Sequence, residues 1–471
     1  GVSTGEARIR GRFQIEYPNG GQILISGTPM PITWTWAGTM DFVKLEYTKV
    51  GNFSDALPPI AASTPNDGSY TWTIEPMISD QVKIRVSSTA DPGAKDESDA
   101  NFKVKGDLRV TYPNASGIEV VAGKVITITW DTIGPIQNVE LRYSTDGATY
   151  PNVITPSTPA GVGAGSYTWT LPTNVAETLI PKIKIKVTDT NDSTVYDESD
   201  NSFRIKGEIT LNTPNGGEEW IVYTNQVISW TTVGQVPNVK LEYSVDNFQT
   251  VTNTWTVAGA GTLPNNSNGT TFFSWQVQEP ISVMMRVRVT SVVDGVVTDK
   301  SELAFKTKGS FTVLQPDGSV PWKVQENKTL QWSTNGTINQ INILFSKLGD
   351  WTDSEIIYWG ATNNNQAAWT VWDRIMSVAA SKIRVESSTD PYPGTYKDSN
   401  PFKIRGTITM VKPDGDIWIV GENRTISWTN IGTLPNVRIS FSKLGNFSDE
   451  EWLNSGNPIA NANPSSGGSY Q

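Results

Sequence analysis

The sequence predicts an all-β fold, a tandem array of immunoglobulin-like or fibronectin-III-like β-sandwich domains that forms an elongated rod. Three observations predict it: a phrase that recurs in steps of 95 to 102 residues, a tryptophan 15 to 17 residues after the proline of each copy, and runs in which apolar and polar residues alternate. The composition agrees, because 40 glycines, 28 prolines and 18% charged residues among 471 suit a β protein with many turns.

The recurring phrase marks where one repeat ends and the next begins. It is "FKVKGDLRVTYPN" from Phe102, and it returns from Phe203, Phe305 and Phe402, while a less similar copy, "ARIRGRFQIEYPN", precedes the first repeat. We expect residues 1–10 to be the end of a preceding repeat or a leader. The predicted domains are 11–105, 106–206, 207–308, 309–405 and an incomplete fifth repeat, 406–471.

Within each repeat, the strands are predicted from alternation. In "VKLEY", Val43, Leu45 and Tyr47 point to one face and the polar residues to the other, which is the pattern of a strand with one buried side. Each repeat has about seven such runs separated by Gly, Asn, Asp and Pro turns, as in a β-sandwich. We predict one core tryptophan on the second main strand of each repeat: Trp34, Trp130, Trp230, Trp332 and Trp428.

The connection between repeats is predicted to be too short to act as a spacer. Residues 102–105 alternate as a last strand and residues 108–112 alternate as a first strand, so only Gly106 and Asp107 lie between them. A flexible linker needs many more residues to separate its ends. We therefore expect neighbouring domains to touch and the array to be semi-rigid.

Composition excludes several classes of function. The chain has no cysteine and no histidine, which excludes disulfides, thiolate metal sites and Ser-His-Asp catalysis. Its net charge of −10 argues against a nucleic-acid partner. It contains no apolar run long enough to span a membrane, since a span needs about 18 residues. We do not expect an enzyme, because no repeat carries a distinctive pair of carboxylates among aromatic residues.

Two stretches resemble a known repeat. "PNGGEEW…ISWTTVG…PNVKLEYSVDN", from Pro214, and "TPNDGSYTW…VKIRVSSTADP…DESDANF", from Thr64, resemble a repeat of secreted bacterial proteins. That repeat is similar to the N-terminal domain of the fungal cell-wall β-glucan assembly and Ser/Thr-rich lipid-anchored surface protein family. The resemblance covers four complete repeats and the partial fifth. It implies a β-sandwich module of exported cell-envelope proteins and no catalytic residues.

An acidic segment before the last strand suggests a metal site. "DESD" spans Asp96 to Asp99 and recurs from Asp197 to Asp200. Oxygen ligands of this kind suit Ca²⁺, and an ion near a junction would stiffen the rod, so calcium is the candidate cofactor. The alternative is a turn in which one Asp or Ser caps the backbone, because the third and fourth copies keep fewer carboxylates.

The fourth repeat is the candidate for a specialised contact. It collects Trp351, Trp359 and Trp372 outside the tryptophan positions that recur. Exposed rings of this kind stack on sugars or bury themselves against another subunit. The alternative is ordinary packing in the core or a loop.

These observations predict an exported structural protein of the cell surface, extracellular and non-catalytic, that assembles with copies of itself into a surface layer, sheath or filament. One alternative is an adhesion stalk or a stalk that binds cell-envelope polysaccharide. Another is an accessory segment of a larger secreted enzyme.

Overall fold

A computed structural model describes residues 8–176, 179–257, 261–388 and 394–471. These residues form β-strands joined by turns, with one 3₁₀ helix and no α-helix among them. No helix in the described part of the chain has the length and hydropathy needed to cross a membrane.

The first repeat shows the arrangement of strands that the others share. Its strands are β1 (Arg12–Tyr17), β2 (Ile23–Ile25), β3 (Pro29–Ala37), β4 (Phe42–Thr48), β5 (Ala61–Pro65), β6 (Ser69–Thr73), β7 (Ser79–Ser88), β8 (Lys95–Glu97) and β9 (Phe102–Lys105). One sheet has the order β1-β3-β6, and the other has the order β2-β9-β7-β4-β5, with β8 also paired to β7. Strands β2 and β9 run parallel, and the other pairs are antiparallel.

The second, third and fourth repeats have equivalent strands. In the second they are β10 (Asp107–Tyr112), β11 (Glu119–Val121), β12 (Val125–Ile133), β13 (Asn138–Ser144), β14 (Asn152–Pro159), β15 (Ala164–Thr170), β16 (Lys184–Asp189), β17 (Tyr196–Glu198) and β18 (Arg204–Lys206). In the third they are β19 (Glu208–Thr213), β20 (Glu219–Ile221), β21 (Asn225–Val233), β22 (Asn238–Ser244), β23 (Thr254–Thr256), β24 (Leu263–Pro264), β25 (Thr270–Gln276), β26 (Ser282–Ser291), β27 (Thr298–Lys300) and β28 (Phe305–Lys308). In the fourth they are β29 (Ser310–Gln315), β30 (Trp322–Lys323), β31 (Asn327–Asn335), β32 (Gln340–Ser346), β33 (Glu355–Thr362), β34 (Gln366–Thr370), β35 (Lys382–Ser387), β36 (Tyr396–Asp398) and β37 (Ile404–Arg405).

The last stretch of the chain forms part of the same arrangement. Its elements are β38 (Thr407–Lys412), β39 (Ile426–Ile431), β40 (Asn436–Val437), β41 (Ser440–Phe441), β42 (Glu451–Trp452), the 3₁₀ helix Leu453–Gly456, β43 (Ile459–Ala460) and β44 (Gly467–Tyr470). The sheet β38-β39-β44 corresponds to β1-β3-β6 of the first repeat.

The core of each repeat lies between its two sheets and contains the predicted tryptophans. Trp34, Trp130, Trp230, Trp332 and Trp428 are all at most 4% exposed, as sequence alternation predicts for the second main strand. In three of them the indole N–H donates to an asparagine: Trp34 to Asn66, Trp230 to Asn265 and Trp332 to Asn363. A buried indole needs such an acceptor, so these asparagines hold the ring in one orientation.

The sheet order confirms the predicted fold, a tandem array of immunoglobulin-like or fibronectin-III-like sandwiches. The array is extended. Its accessible surface is 24620 Å², whereas a compact monomer of this length exposes about 17,000 Å². The excess surface is what an elongated rod of small domains produces.

Candidate functional site: the junctions between repeats

The junctions are the places where one repeat determines the position of the next. At each of them a single glycine separates the last strand of one repeat from the first strand of the following one; these glycines are Gly106, Gly207, Gly309 and Gly406. The connection is therefore one residue shorter than the two residues expected from the sequence, because Asp107 already pairs in β10.

A second glycine packs against the junction glycine at three of the four junctions: Gly134 against Gly106, Gly234 against Gly207 and Gly432 against Gly406. Gly234 follows β21 and has a φ of +88°. A Cβ atom at Gly234 would lie 2.9 Å from the Cβ of Ala122 in the preceding repeat and 3.0 Å from the Cα of Gly207. Gly134 is placed in the same way, since its Cβ would lie 2.9 Å from the Cβ of Ser26. Gly134 and Gly234 therefore each lie between a side chain of the preceding repeat and the junction glycine, where there is no room for a Cβ atom.

At the second, third and fourth junctions, a loop of one repeat makes a hydrogen bond to the next repeat. The carbonyl of Thr173 in repeat 2 accepts a hydrogen bond from Asn268 Nδ2 of repeat 3, at 3.2 Å. Glu279 Oε1 of repeat 3 accepts from the backbone N–H of Thr337 at 2.6 Å. Asp373 Oδ2 of repeat 4 accepts from the N–H of Thr433 at 2.8 Å. Each loop after β15, β25 or β34 thus supplies an acceptor to the next repeat.

Apolar packing is continuous across the third junction. Ile281, which belongs to repeat 3, packs against the hydrophobic cores of both repeat 3 and repeat 4. A side chain shared by two cores resists rotation of one repeat relative to the other, because rotation would expose it to water.

An ion pair links the last strand of one repeat to the turn that follows β7, β16 or β26 in the next. Lys103 Nζ lies 2.5 Å from Asp192 Oδ2, and Arg204 lies 2.7 Å from Asp294. Arg8, which precedes the first repeat, makes the corresponding pair with Asp91 at 3.3 Å. In each pair, the cation is the second residue of the junction phrase.

The three pairs differ in burial, and so in strength. The side chains of Arg204 and Asp294 are 5% and 3% exposed, whereas that of Arg8 is 70% exposed. Arg204 also contacts Glu119 of its own repeat, which satisfies a second side of the guanidinium. Exposed ion pairs contribute little to stability. Removing one partner of a buried pair is costly, because it leaves an unpaired charge away from water.

The contact with the neighbouring repeat lowers the pKa of Asp192. The hydrogen bond from Lys103, together with one from Thr194, lowers that pKa to about 2. A lowered pKa means that the ionised carboxylate is stabilised in the folded array. The contribution of Asp192 to the junction is therefore present at neutral pH and is lost in strong acid.

The predicted calcium ligands lie in two different kinds of hydrogen bond. Asp96 Oδ2 accepts from the backbone N–H of Ile15 at 2.7 Å, and Asp197 Oδ2 accepts from that of Val110 at 2.7 Å. These contacts hold the first strand of repeats 1 and 2 against the opposite sheet. Among the described residues, no group of three or more acidic side chains is placed to hold a metal ion. The two carboxylates therefore join strands that are distant in sequence, and both the turn interpretation and calcium binding stay predictions.

Asp99 and Asp200 each pair with the asparagine of the junction phrase. Asn19 Nδ2 donates to Asp99 Oδ2 at 2.7 Å, and the N–H of Asp99 donates back to Asn19 Oδ1 at 2.8 Å. Asn114 and Asp200 form the same reciprocal pair. The recurrence of both phrases is explained by this contact between the two ends of one repeat.

The serine within "DESD" was undervalued by the sequence interpretation. Ser98 is 1% exposed, accepts from the N–H of Ile84 at 3.0 Å and donates to the carbonyl of Pro18 at 2.9 Å. Ser199, Ser301 and Ser399 accept the equivalent N–H in their repeats. Its presence in all four copies was the signal that could have identified it. The junction carboxylates were missed too, although each lies five residues before the segment.

The three tryptophans of repeat 4 have different surroundings. Trp372 packs against the core, with its ring 5.7 Å from that of Trp369. Trp351 Nε1 donates to Asp398 at 3.0 Å, and the Arg384 guanidinium lies 4.1 Å from its ring. Trp359 is 68% exposed on β33. Packing therefore accounts for Trp372 and Trp351, whereas Trp359 keeps a free ring for a contact.

No protein-family model matches the chain, and no curated protein matches it. The resemblance to the fungal cell-wall glucan assembly family is thus not confirmed. Among solved structures, the chain is similar to a tetra-tandem repeat in the extending region of a large adhesion protein, with 15% identity, a TM-score of 0.28 and coverage of 83% of this chain and 98% of that chain.

Two other solved structures are also similar. One is the D1–D4 ectodomain fragment of ICAM-5, with 10% identity, a TM-score of 0.27 and coverage of 84% of this chain and 100% of that chain. The other comprises fibronectin(III)-like modules of Clostridium thermocellum CbhA, with 18% identity, a TM-score of 0.16 and coverage of 41% and 94%. Scores this low carry no argument about function, and the fold assignment rests on the sheet order.

Proposed function

We propose that the protein is an exported, non-catalytic structural rod of the cell surface that assembles with copies of itself into a layer, sheath or filament. The observation that carries this proposal is the one-residue junction, beside which a glycine of one repeat packs against a side chain of the preceding repeat with no room for a Cβ atom. A junction of this kind transmits orientation from one repeat to the next, which a structural element requires and a flexible tether does not.

The direction of the strands suits a rod that bears tension. In repeat 1, the carbonyl of Gln22 accepts from the N–H of Lys103 at 2.8 Å, and that of Lys105 accepts from the N–H of Ser26 at 2.9 Å. These bonds join β2, near the start of the repeat, to β9 at its end, and the two strands are parallel. Tension applied at both ends of the repeat therefore shears the whole set of bonds together instead of opening them one at a time.

Solution scattering from the full chain tests the rod, and electron microscopy of the native cell surface tests the assembly. We expect one narrow distribution of end-to-end lengths and a regular array on the cell. A broad distribution of bent forms would refute the rod, and isolated chains on the surface would refute the layer.

The second candidate is a stalk that binds neutral polysaccharide or another cell surface. The exposed ring of Trp359 favours it, because an exposed indole stacks on the apolar face of a sugar. Microscopy separates the two candidates, since a stalk stands alone. Binding of cell-envelope polysaccharide that Trp359→Ala abolishes would support the stalk. The resemblance to secreted bacterial repeats supports an extracellular location for either.

A further inference from the structure

Strand β33 is an edge strand with an unusually apolar exposed surface. It ends the sheet of order β33-β32-β35-β36, so one side of its backbone has no partner strand within the described part of repeat 4. Three of its large side chains reach solvent: Ile356 is 56%, Tyr358 37% and Trp359 68% exposed. An apolar edge of this length is a template on which a further strand can pair.

The equivalent edges of the other complete repeats contain proline. Strand β5 ends at Pro65. In repeat 3 the edge is divided between β23, which has only 3 residues and no proline, and β24, which ends at Pro264. Strand β14 contains Pro156 and ends at Pro159. Proline has no backbone N–H to donate, so it blocks addition of a strand at an edge. Strand β33, "EIIYWGAT", contains no proline, which leaves its edge open to pairing.

Hydrogen bonds to the rest of repeat 4 fix the conformation of β33. Tyr358 Oη donates to the carbonyl of Ala368 at 2.6 Å and so ties β33 to β34 in the opposite sheet. The N–H of Gly360 donates to Asn342 Oδ1 at 2.9 Å. These contacts fix the strand before any partner arrives, which reduces the entropy lost on pairing.

The distribution of charge favours this edge as the place where two copies of the chain meet. The chain carries a net charge of −10, so two copies repel wherever their carboxylates face each other. Residues 356–370 contain no charged side chain. Glu355, at the start of β33, is paired with Arg374 through two contacts of 2.8 Å. This edge is therefore a neutral strip on an acidic molecule, where two copies can approach without repulsion.

We propose that β33 pairs antiparallel with β33 of a second copy across a twofold axis, joining two rods side by side at repeat 4. The antiparallel direction follows from the twofold symmetry, which places the same strand on both sides of the axis. The exposed rings and the Ile356 side chain are then covered by the partner. The inference rests on the proposed structural function, because it supplies the lateral contact that a layer or filament needs.

Single-cysteine variants test the geometry directly, because the chain contains no cysteine of its own. Cα atoms of opposite residues in an antiparallel pair are about 4.5–5.5 Å apart, within the range in which a disulfide forms. In full-length Ile356→Cys, Trp359→Cys and Thr362→Cys, we expect only the variant nearest the axis to form a disulfide dimer with itself. Mixtures of two variants should cross-link when their residue numbers lie symmetrically about that axis. Phe272→Cys, in the exposed edge strand β25, is the control and should stay monomeric.

Sedimentation equilibrium of the full chain supplies the second measurement. We expect a monomer–dimer equilibrium whose dissociation constant rises on the order of tenfold or more in Trp359→Lys, because each strand of the pair then brings a charge into a contact that is otherwise apolar. Phe272→Lys should associate like the wild type. Scattering of Trp359→Lys should still show a straight rod.

The outcomes separate this inference from the proposed function. A monomeric wild type, equal cross-linking at every position, or association unaffected by Trp359→Lys would each overturn strand pairing. Polysaccharide binding at Trp359 by a monomeric chain would also overturn it. A rod that is straight but monomeric leaves the structural function standing, whereas a bent and flexible chain removes that function whatever its association.

Discussion

The glycine contact between repeats 2 and 3 gives the sharpest test of the junction. Gly234 and Gly217 lie in the same repeat and have the same φ of +88°, so alanine introduces the same backbone strain at both. They differ in their surroundings: nothing lies within 4 Å of a Cβ atom at Gly217, whereas a Cβ atom at Gly234 meets Ala122 and Gly207. Comparing Gly234→Ala with Gly217→Ala therefore isolates the contact between repeats.

The expected magnitude follows from the distances. Two carbon atoms in contact normally lie about 3.5–4.0 Å apart. The Cβ of Gly234→Ala would lie 2.9 Å from the Cβ of Ala122, so the repeats must separate by about 0.6 Å or more. Strain at positive φ costs both variants about 1–2 kcal/mol. We expect Gly234→Ala to cost a further ~1–3 kcal/mol, the usual cost of overpacking.

Hydrogen exchange measured by mass spectrometry locates that cost, and scattering measures its effect on shape. In Gly234→Ala we expect faster exchange in peptides covering β18 and β19 and a broader distribution of chain lengths. In Gly217→Ala we expect faster exchange only in the turn itself. Identical exchange at the junction and identical scattering in the two variants would show that the repeats are not in contact there.

Three further predictions concern the charged groups. Asp294→Asn removes a carboxylate that pairs with the buried Arg204 and should destabilise the second junction by about 3 kcal/mol, whereas Asp192→Asn at the more exposed first junction should cost about 1 kcal/mol or less. Equal effects of the two substitutions on hydrogen exchange would contradict the difference in burial. Because the pKa of Asp192 is lowered to about 2, its contribution should persist down to the ordinary aspartate range near pH ~3.8 and disappear as the pH falls to about 2, and exchange in the wild type but not in Asp192→Asn should show this step. Excess Ca²⁺ should leave thermal unfolding unchanged if the hydrogen bonds that Asp96 and Asp99 accept from amides are their whole role; a stabilisation that chelator reverses would support the calcium prediction instead.

The sequence predicted the repeats and their cores because both depend on local pattern. Alternation around Val43, Leu45 and Tyr47 specifies a buried face without knowledge of the partner strand, and all three are at most 4% exposed. The contacts between repeats could not be predicted in the same way. Lys103 and Asp192 are 89 residues apart, and neither residue alone indicates that the other is near. The pair could have been found only by noting that a cation and a carboxylate recur at these two positions in successive repeats.

The same limit explains the acidic segment. Its carboxylates suggested a metal because sequence shows which oxygen atoms are available but not which N–H groups face them. The first strand of repeat 1 pairs irregularly with β3, and its register shifts between Ile15 and Tyr17. That irregularity leaves the N–H of Ile15 facing the opposite sheet, and Asp96 satisfies it. A β-bulge of this kind cannot be located from alternation alone.

Steric contact, more than charge, determines the shape of the rod. At an ionic strength of about 0.15 M, interactions between exposed charges are screened beyond about 8 Å, and exposed pairs are worth about 1 kcal/mol or less. The Arg8–Asp91 pair, with its exposed arginine, falls in that class. The contact of Gly234 with Gly207 and Ala122 does not depend on salt, and the Arg204–Asp294 pair at the same junction is shielded from water. The second junction should therefore keep its angle in molar salt, while association of whole rods, which repel each other through a net charge of −10, should strengthen as salt is added.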